Sequence, residues 1–334
     1  MKIKNLVKHI EYSAQLAAVL EVSGWPKPGN VHRTRDHGDA RFEHFLAGSI
    51  ALGSSIEAAA LKGVMAARGK ISLSEIGVGR LIKKAVKDFS FSHKGGNTHL
   101  GVCLLFIPLS AAAAKTYVEK GSFSTLFLRK NVWDIMRSTT SIDAVRVYEA
   151  IRMVSSPREL GKVSGKGAPD LYDKNAKKKI LSSGVTLFDA MKEASSYDTV
   201  ARELVTGMEI SFNVGFRELI ETFERTRDIN VAIVHTFLRI LSEFPDTFIA
   251  RKIGLKKEND VKRAVEIGVR ETKWISEAAM RILDLGGLTT KEGRSALWKL
   301  DGKLQNLGKD YSPGTTADLT ASSLMVALLT GLKF

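Results

Sequence analysis

Cysteine is almost absent from these 334 residues: there is one, Cys103, inside the apolar run 102–114. A single cysteine excludes an intrachain disulfide framework and a cysteine-based zinc cluster. Such a thiol reads as a small buried hydrophobe. Aromatic residues are scarce, at 7%, and alternating polar–apolar stretches are few, so strand signals are weak. Only seven prolines interrupt the chain. The opening Met1-Lys2-Ile3-Lys4-Asn5 leads into a charged amphipathic segment, not the apolar region of a secretory signal. The longest apolar run contains Pro108 and falls short of the ~20 residues a bilayer needs. A reducing, cytoplasmic setting with no membrane partner is the expectation. Acidic residues are the minority, 36 against 50 Lys and Arg, and the formal charge is +14. That excludes an acidic, self-solvating chain and favours anionic partners.

What is present is helix. Hydrophobic residues are 44% and charged residues 26%, a globular composition in a chain long enough to bury a substantial core. Ala, Leu and Ile recur at three- and four-residue spacing over 7–22, 45–67, 100–117, 200–223, 231–241, 260–283 and 319–332. Ser72 with Glu75, and Thr289 with Glu292, read as capping boxes at helix starts. No repeat, low-complexity tract or linker divides the chain. The expected fold is all-α: one large helical domain, 1–334, of about a dozen helices, with the site formed by inter-helix loops. The apolar helix at 319–332 leaves two roles open, core or the face of a homo-oligomer. The lysine run 177–179 reads as a solvated face.

The informative segments are the long polar junctions 25–41, 92–101, 155–173, 244–254 and 308–318, because loops of this kind carry sites. The first combines Lys27, His32, Arg33, Arg35 and His37 with Asp36 and Asp39. Cations and imidazoles suit phosphate oxygens, and carboxylates suit Mg²⁺ held jointly with substrate phosphates. A solvated turn with incidental charges is the alternative. Gly95-Gly96-Asn97-Thr98-His99 precedes a long apolar helix, where free N–H groups can receive an anion or Asn97 and Thr98 can simply cap. Ser312-Pro313-Gly314-Thr315-Thr316-Ala317-Asp318 precedes another. There Asp318 is either a first-turn acid favoured by the helix dipole or a metal ligand. Asp246-Thr247 with Arg251 is a fourth candidate, with an ordinary ion pair as its plain reading. No nucleophile elbow, P-loop or dinucleotide fingerprint occurs: Gly77-Val78-Gly79 is followed by Ile82 where a third glycine belongs. The basic charge is spread out and not striped with aromatics, which disfavours nucleic acid.

Taken in order, these loops resemble the triphosphoribosyl-dephospho-CoA synthase family. Lys27-Pro28-Gly29-Asn30-Val31 is similar to its first motif. His37-Gly38-Asp39 with Phe42, Phe45 and Ser49 resembles its H-x-D continuation. Gly95–Gly101 resembles its G-x-N-T-H-x-G motif. Asp246-Thr247 with Arg251 and Gly254 resembles its D-T…R…G segment, and Ser312-Pro313-Gly314 with Ala317-Asp318-Leu319 its S-P-G-x-x-A-D-L ending.

The resemblance implies an all-helical transferase using ATP and 3′-dephospho-CoA, in which the acceptor ribose 2′-hydroxyl displaces adenine from the anomeric carbon of ATP. The product is the precursor of an acyl-carrier prosthetic group. Positive charge then builds on the anomeric carbon, where a carboxylate stabilises it or takes the hydroxyl proton. On this reading Asp39 and Asp318 are catalytic and, with Asp246, metal-binding toward Mg²⁺. Lys27, His32, Arg35 and Arg251 face phosphates. Asn97, Thr98 and His99 position ribose or phosphate, with His99 an acid toward adenine, and His37, Gly95, Ser312 and Gly314 complete the substrate-binding set. Leu100 stands where members often carry a cation, Gly96 replaces an apolar residue, and Thr315-Thr316 replaces a glycine-containing pair. The stretch 139–208 departs from the citrate-lyase enzymes; 147–152 and 201–207 within it resemble a divergent, archaeal-type branch. Two other readings stay open: the same chemistry with another phosphorylated acceptor, and a non-catalytic, basic nucleotide- or RNA-binding protein.

Overall fold

The computed structural model describes residues 1–37, 40–163 and 167–334. Asp39 lies outside the described residues. Among the described residues seventeen α-helices run in chain order: α1 (Ile3–Ser23), α2 (Phe42–Ala51), α3 (Gly53–Ala67), α4 (Val78–Ser92), α5 (Leu100–Lys120), α6 (Thr125–Arg137), α7 (Ser141–Val154), α8 (Pro157–Leu160), α9 (Ala176–Ser183), α10 (Leu187–Ala194), α11 (Thr199–Thr206), α12 (Phe216–Thr226), α13 (Ile229–Glu243), α14 (Thr247–Gly254), α15 (Val261–Asp284), α16 (Lys291–Leu307) and α17 (Gly314–Leu329). Among the described residues there is no strand, only isolated bridges. The all-α expectation holds. The count exceeds a dozen because short helices fill 157–206, where no long apolar period announces them.

Two continuous helical readings are corrected. The segment 45–67 is α2 and α3, joined through Leu52. The segment 200–223 breaks after α11, where Gly207 and Met208 both take positive φ and a π-helical turn, Ser211–Gly215, follows. The buried Glu203 carboxylate forms that break: it accepts from Ile210 N (2.7 Å), Ser211 N (2.8 Å) and Ser211 Oγ (2.5 Å). Arg129 ties off α11 by donating to the Thr206 and Gly207 carbonyls. The stretch 147–152 has a similar task, with Tyr148 donating to Pro169 O and Arg152 to Leu171 O and Asp173 O. Both archaeal-type stretches therefore shape their local chain. Ser72 and Glu75 do form a capping box, at a 3₁₀ turn, whereas Thr290, not Thr289, caps α16.

α5 is the centre of the larger core, buried from Val102 through Ala114. By length and composition α5 and the pair 42–67 are long and apolar enough to cross a membrane, contrary to the shorter apolar run expected; yet α5 is packed within the protein. Cys103 is buried there, and burial pushes its thiol well above the usual range, as an inert thiol requires. α17 packs on α1, α5 and α13 and is buried from Leu319 to Leu329, so it is core and not an open oligomer face. A second core joins α13, α15 and α16 through Phe237, Ile275, Leu297 and Leu304.

α3 meets α5 almost backbone to backbone. A Cβ on Gly63 would lie 2.1 Å from Ala111 O, so no side chain fits. Gly63→Val is therefore expected to force the helices apart at about 1–3 kcal/mol or more. A lower urea midpoint with an unchanged slope would register it; an unchanged midpoint would refute the close crossing.

Candidate active site

The first loop folds inward onto α1 and α16. Lys27 is fully buried, and its ammonium is paired with Glu21 on the last turn of α1. Burial raises the Glu21 carboxyl and lowers the Lys27 amine, against the attraction between them. Lys27 therefore faces a carboxylate inside the protein and not an open surface. Asp301, fully buried on α16, organises the rest. Its Oδ1 accepts from Gly29 N at 3.0 Å, and its Oδ2 lies 3.6 Å from His32 Nε2 and 3.4 Å from Arg35 Nε. Gly29 has φ +72° and no room for a Cβ beside Leu304. His37 Nδ1 lies 2.7 Å from Gln305 Oε1, which leaves its buried Nε2 without a protein partner. Asn30 donates to Pro313 O at 3.0 Å, joining this loop to the start of α17. Arg35 keeps 42% of its side chain exposed, and Arg33 and Asp36 beside it are exposed too.

The second loop packs on α2. His99 is buried, with Nε2 3.1 Å from Ser49 Oγ and Nδ1 2.8 Å from Thr98 Oγ1. Burial, and then His93, push its pKa down to about 3. Both ring nitrogens are thus engaged by hydroxyls of Ser49 and Thr98. Gly48 admits that ring: a Cβ there would lie 2.5 Å from Nδ1. Exposed Asn97 accepts from Leu100 N at 3.1 Å, although the N-cap of α5 is His99 and neither Asn97 nor Thr98. Gly95 lies against His44, and Leu100 is half-buried.

The third and fourth loops meet at Asp246. This buried carboxylate accepts from Phe248 N and Ile249 N, capping α14, and from Thr316 N and Thr316 Oγ1 on α17, at 2.8–3.0 Å. Burial pushes its pKa up, against the pull of those donors. With four donors in place Asp246 acts as a clamp between α14 and α17. Beside it, Thr247 Oγ1 receives Thr199 N at 3.1 Å. Arg251 forms an ion pair, but with Asp198 and not with Asp246: NH1 lies 3.4 Å from Asp198 Oδ2, while its buried Nε has no partner among the described residues. Lys252, which the sequence reading passed over, lies 4.0 Å from the centre of the Phe248 ring and donates to Lys309 O. Gly314 sits against the same ring, and its N–H donates to Ser312 O.

Asp318 is the point where these pieces converge. Its carboxylate presses on the first turn of α5, so close to Gly101 that a Cβ there would lie 1.9 Å from Oδ2, and it accepts from the Val102 N–H. Burial raises its pKa well above the ordinary range, and Glu21, Asp246 and Asp198 raise it further. Ionised, it adds to an existing concentration of negative charge that a cationic centre would relieve. Among the described residues no three His, Cys, Asp or Glu side chains form a metal-ligand group. An all-protein cage does not fit. A cation held by Asp318 and by phosphate oxygens of the substrate does, since Mg²⁺ is ordinarily held by one or two carboxylates plus phosphates.

The family model for ATP:dephospho-CoA triphosphoribosyl transferase matches residues 7–333. A solved structure from Archaeoglobus fulgidus, named provisionally as a triphosphoribosyl-dephospho-CoA synthase, superposes with a TM-score of 0.59. It is 26% identical, over 88% of this chain and 100% of its own. No curated protein matches the chain in sequence.

Proposed function

The chain belongs to the ATP:dephospho-CoA triphosphoribosyl transferase family, and on that premise we propose how its loops perform the transfer. The bond from the ATP anomeric carbon to adenine N9 breaks, and adenine leaves with the electron pair. A bond forms from that carbon to the acceptor 2′-oxygen, and the hydroxyl proton ends on adenine. The triphosphate does not react and has only to be held, so positioning supplies much of the rate.

The observation that carries this reading is the placement of Asp318, pressed on the start of α5 and within electrostatic reach of Glu21, Asp246 and Asp198. Its carboxylate stabilises positive charge at the anomeric carbon and receives the hydroxyl proton on its way to adenine. Arg251, with its unpartnered Nε, and the exposed head of Arg35 supply cations for phosphate. The N–H groups at the start of α5 are oriented for an anion or a ribose hydroxyl. Mg²⁺ carried by the triphosphate and held by Asp318, with Asp39 as a second ligand, would neutralise phosphate charge. His32 and His37 hold the first loop through Asp301 and Gln305. The whole chain, 1–334, acts as one helical unit in the cytoplasm, where both nucleotides are found.

The half-buried Leu100, at the place where members often carry a cation, favours one variant: an acceptor with one phosphate contact fewer than dephospho-CoA. The test is adenine release from ATP and Mg²⁺ with and without 3′-dephospho-CoA, with products weighed by mass spectrometry. Adenine with triphosphoribosyl-dephospho-CoA is expected. Adenine only with another acceptor would favour the variant, and no adenine with any acceptor would overturn the transfer.

A further inference from the structure

A hydrogen-bonded chain crosses the start of α5, and its protons can be placed one by one. Ser49 Oγ lies 2.7 Å from Phe45 O, which has no proton to give, so the hydroxyl donates there. A hydroxyl has a single proton; the 3.1 Å contact with His99 Nε2 is therefore donated by the imidazole. A neutral ring carries one N–H. His99 Nδ1 is then an acceptor, and Thr98 Oγ1, 2.8 Å away, donates to it. The Thr98 proton being used, the 2.9 Å contact with His93 Nε2 is donated by His93. His93 Nδ1, left as an acceptor, receives Gly95 N–H at 3.0 Å. The chain begins on a backbone N–H and ends on a backbone carbonyl, with each proton used once.

We propose that His93 is a positioning residue for the transfer, acting through Thr98 and His99 to hold the 95–99 backbone and the first turn of α5 against Asp318. The proposal rests on the reading of Asp318 given above. A merely structural histidine would fill space between Phe89 and His44, whose rings lie 6.1 and 5.3 Å away. The directed chain asks more of it: one proton, on Nε2, and a bare Nδ1. Protonating Nδ1 sets an N–H against the Gly95 N–H and breaks the first link. The titratable groups facing His93 are His44 of α2 across the stack and His99 beyond Thr98. Burial and His44 lower its pKa, so this break comes on the acid side of the ordinary histidine range.

Nitrogen-15 NMR of the full-length chain labelled at histidine tests the chain directly. Both His93 and His99 are expected to carry their proton on Nε2 at neutral pH; a proton on Nδ1 of either would overturn the proposal. Kinetics test the role. Thr98→Val removes the middle link and leaves His99 Nδ1 and the His93 N–H unpaired; it is expected to lower the melting temperature and, measured well below that melt, to lower kcat for adenine release at least tenfold. His93→Asn keeps an acceptor for Gly95 N–H and cannot titrate. It is expected to retain more activity than His93→Ala and to lose the acid-side fall in kcat. If His93→Ala lowers stability but leaves kcat and its pH profile as in the parent, the role is structural and the proposal fails. If the parent chain releases no adenine, the proposed function fails instead, while the NMR result still decides the proton order.

Discussion

Asp318→Asn is expected to lose adenine release by roughly 10²–10⁴-fold, the span contributed by a positioned proton-transfer group, and at the same time to melt no lower than the parent. The two halves have one cause. The carboxylate sits among Glu21, Asp246 and Asp198, and its pKa is raised well above the ordinary range. Ionised Asp318 therefore costs the folded state energy, and an amide of the same shape removes that cost. The amide can neither take a proton nor stabilise a cationic anomeric carbon. Active-site groups held against their own stability behave in this way. Adenine release read by chromatography, beside a thermal melt, checks both halves. Near-parental turnover in the variant would remove Asp318 from the mechanism. A melt several degrees lower would mean that its bond to the Val102 N–H outweighs the repulsion.

Asp246→Ala is expected to act in the opposite sense, on stability first. Loss of the α14 cap alone costs about 0.5–2 kcal/mol, and each buried donor left without an acceptor costs about 1–3 kcal/mol more. The Thr316 N–H and hydroxyl are such donors. Asp246→Asn keeps an oxygen for the cap but turns an amino group toward Thr316, so it should fall between alanine and parent. A metal-ligand role predicts something else: a loss that appears only with Mg²⁺ present. Melts in Mg²⁺ and in EDTA separate the two. An equal drop in both supports the clamp; a drop confined to Mg²⁺ would support the ligand role.

The order of the loops and the helical class were legible because each rests on short-range pattern: three- and four-residue apolar spacing, and polar junctions dense in functional groups. Burial was not. Lys27 reads as a phosphate cation because nothing in its own segment indicates Glu21 one turn inside α1. Asp301 was missed although a signal existed: it lies on the apolar stripe Leu297, Leu300, Leu304 of α16, where a charge is out of place without a partner. Glu21 is a similar anomaly on the stripe of α1. Asp246-Thr247 carried an ordinary N-cap signature ahead of α14, and the functional reading overshadowed it. The proton order through His93 was beyond the sequence, because Phe45 and Ser49 enter it from another helix.

The stitching of the first loop to the end of the chain has a consequence for biosynthesis. Gly29 takes its shape from a carboxylate 272 residues later, and Asn30 from a carbonyl 283 residues later. α1 packs on α17 as well as on α2 and α3, and α5 adds α17 to its larger contacts with α3 and α6. On the ribosome α1 can pack on α2, α3 and α5 as they emerge, but the face that meets α17 stays bare until the last helix is made. Catalysis begins only once α17 docks. A chain stopped near 313 lacks α17 and Asp318, and is expected to lose both the cooperative melt and adenine release.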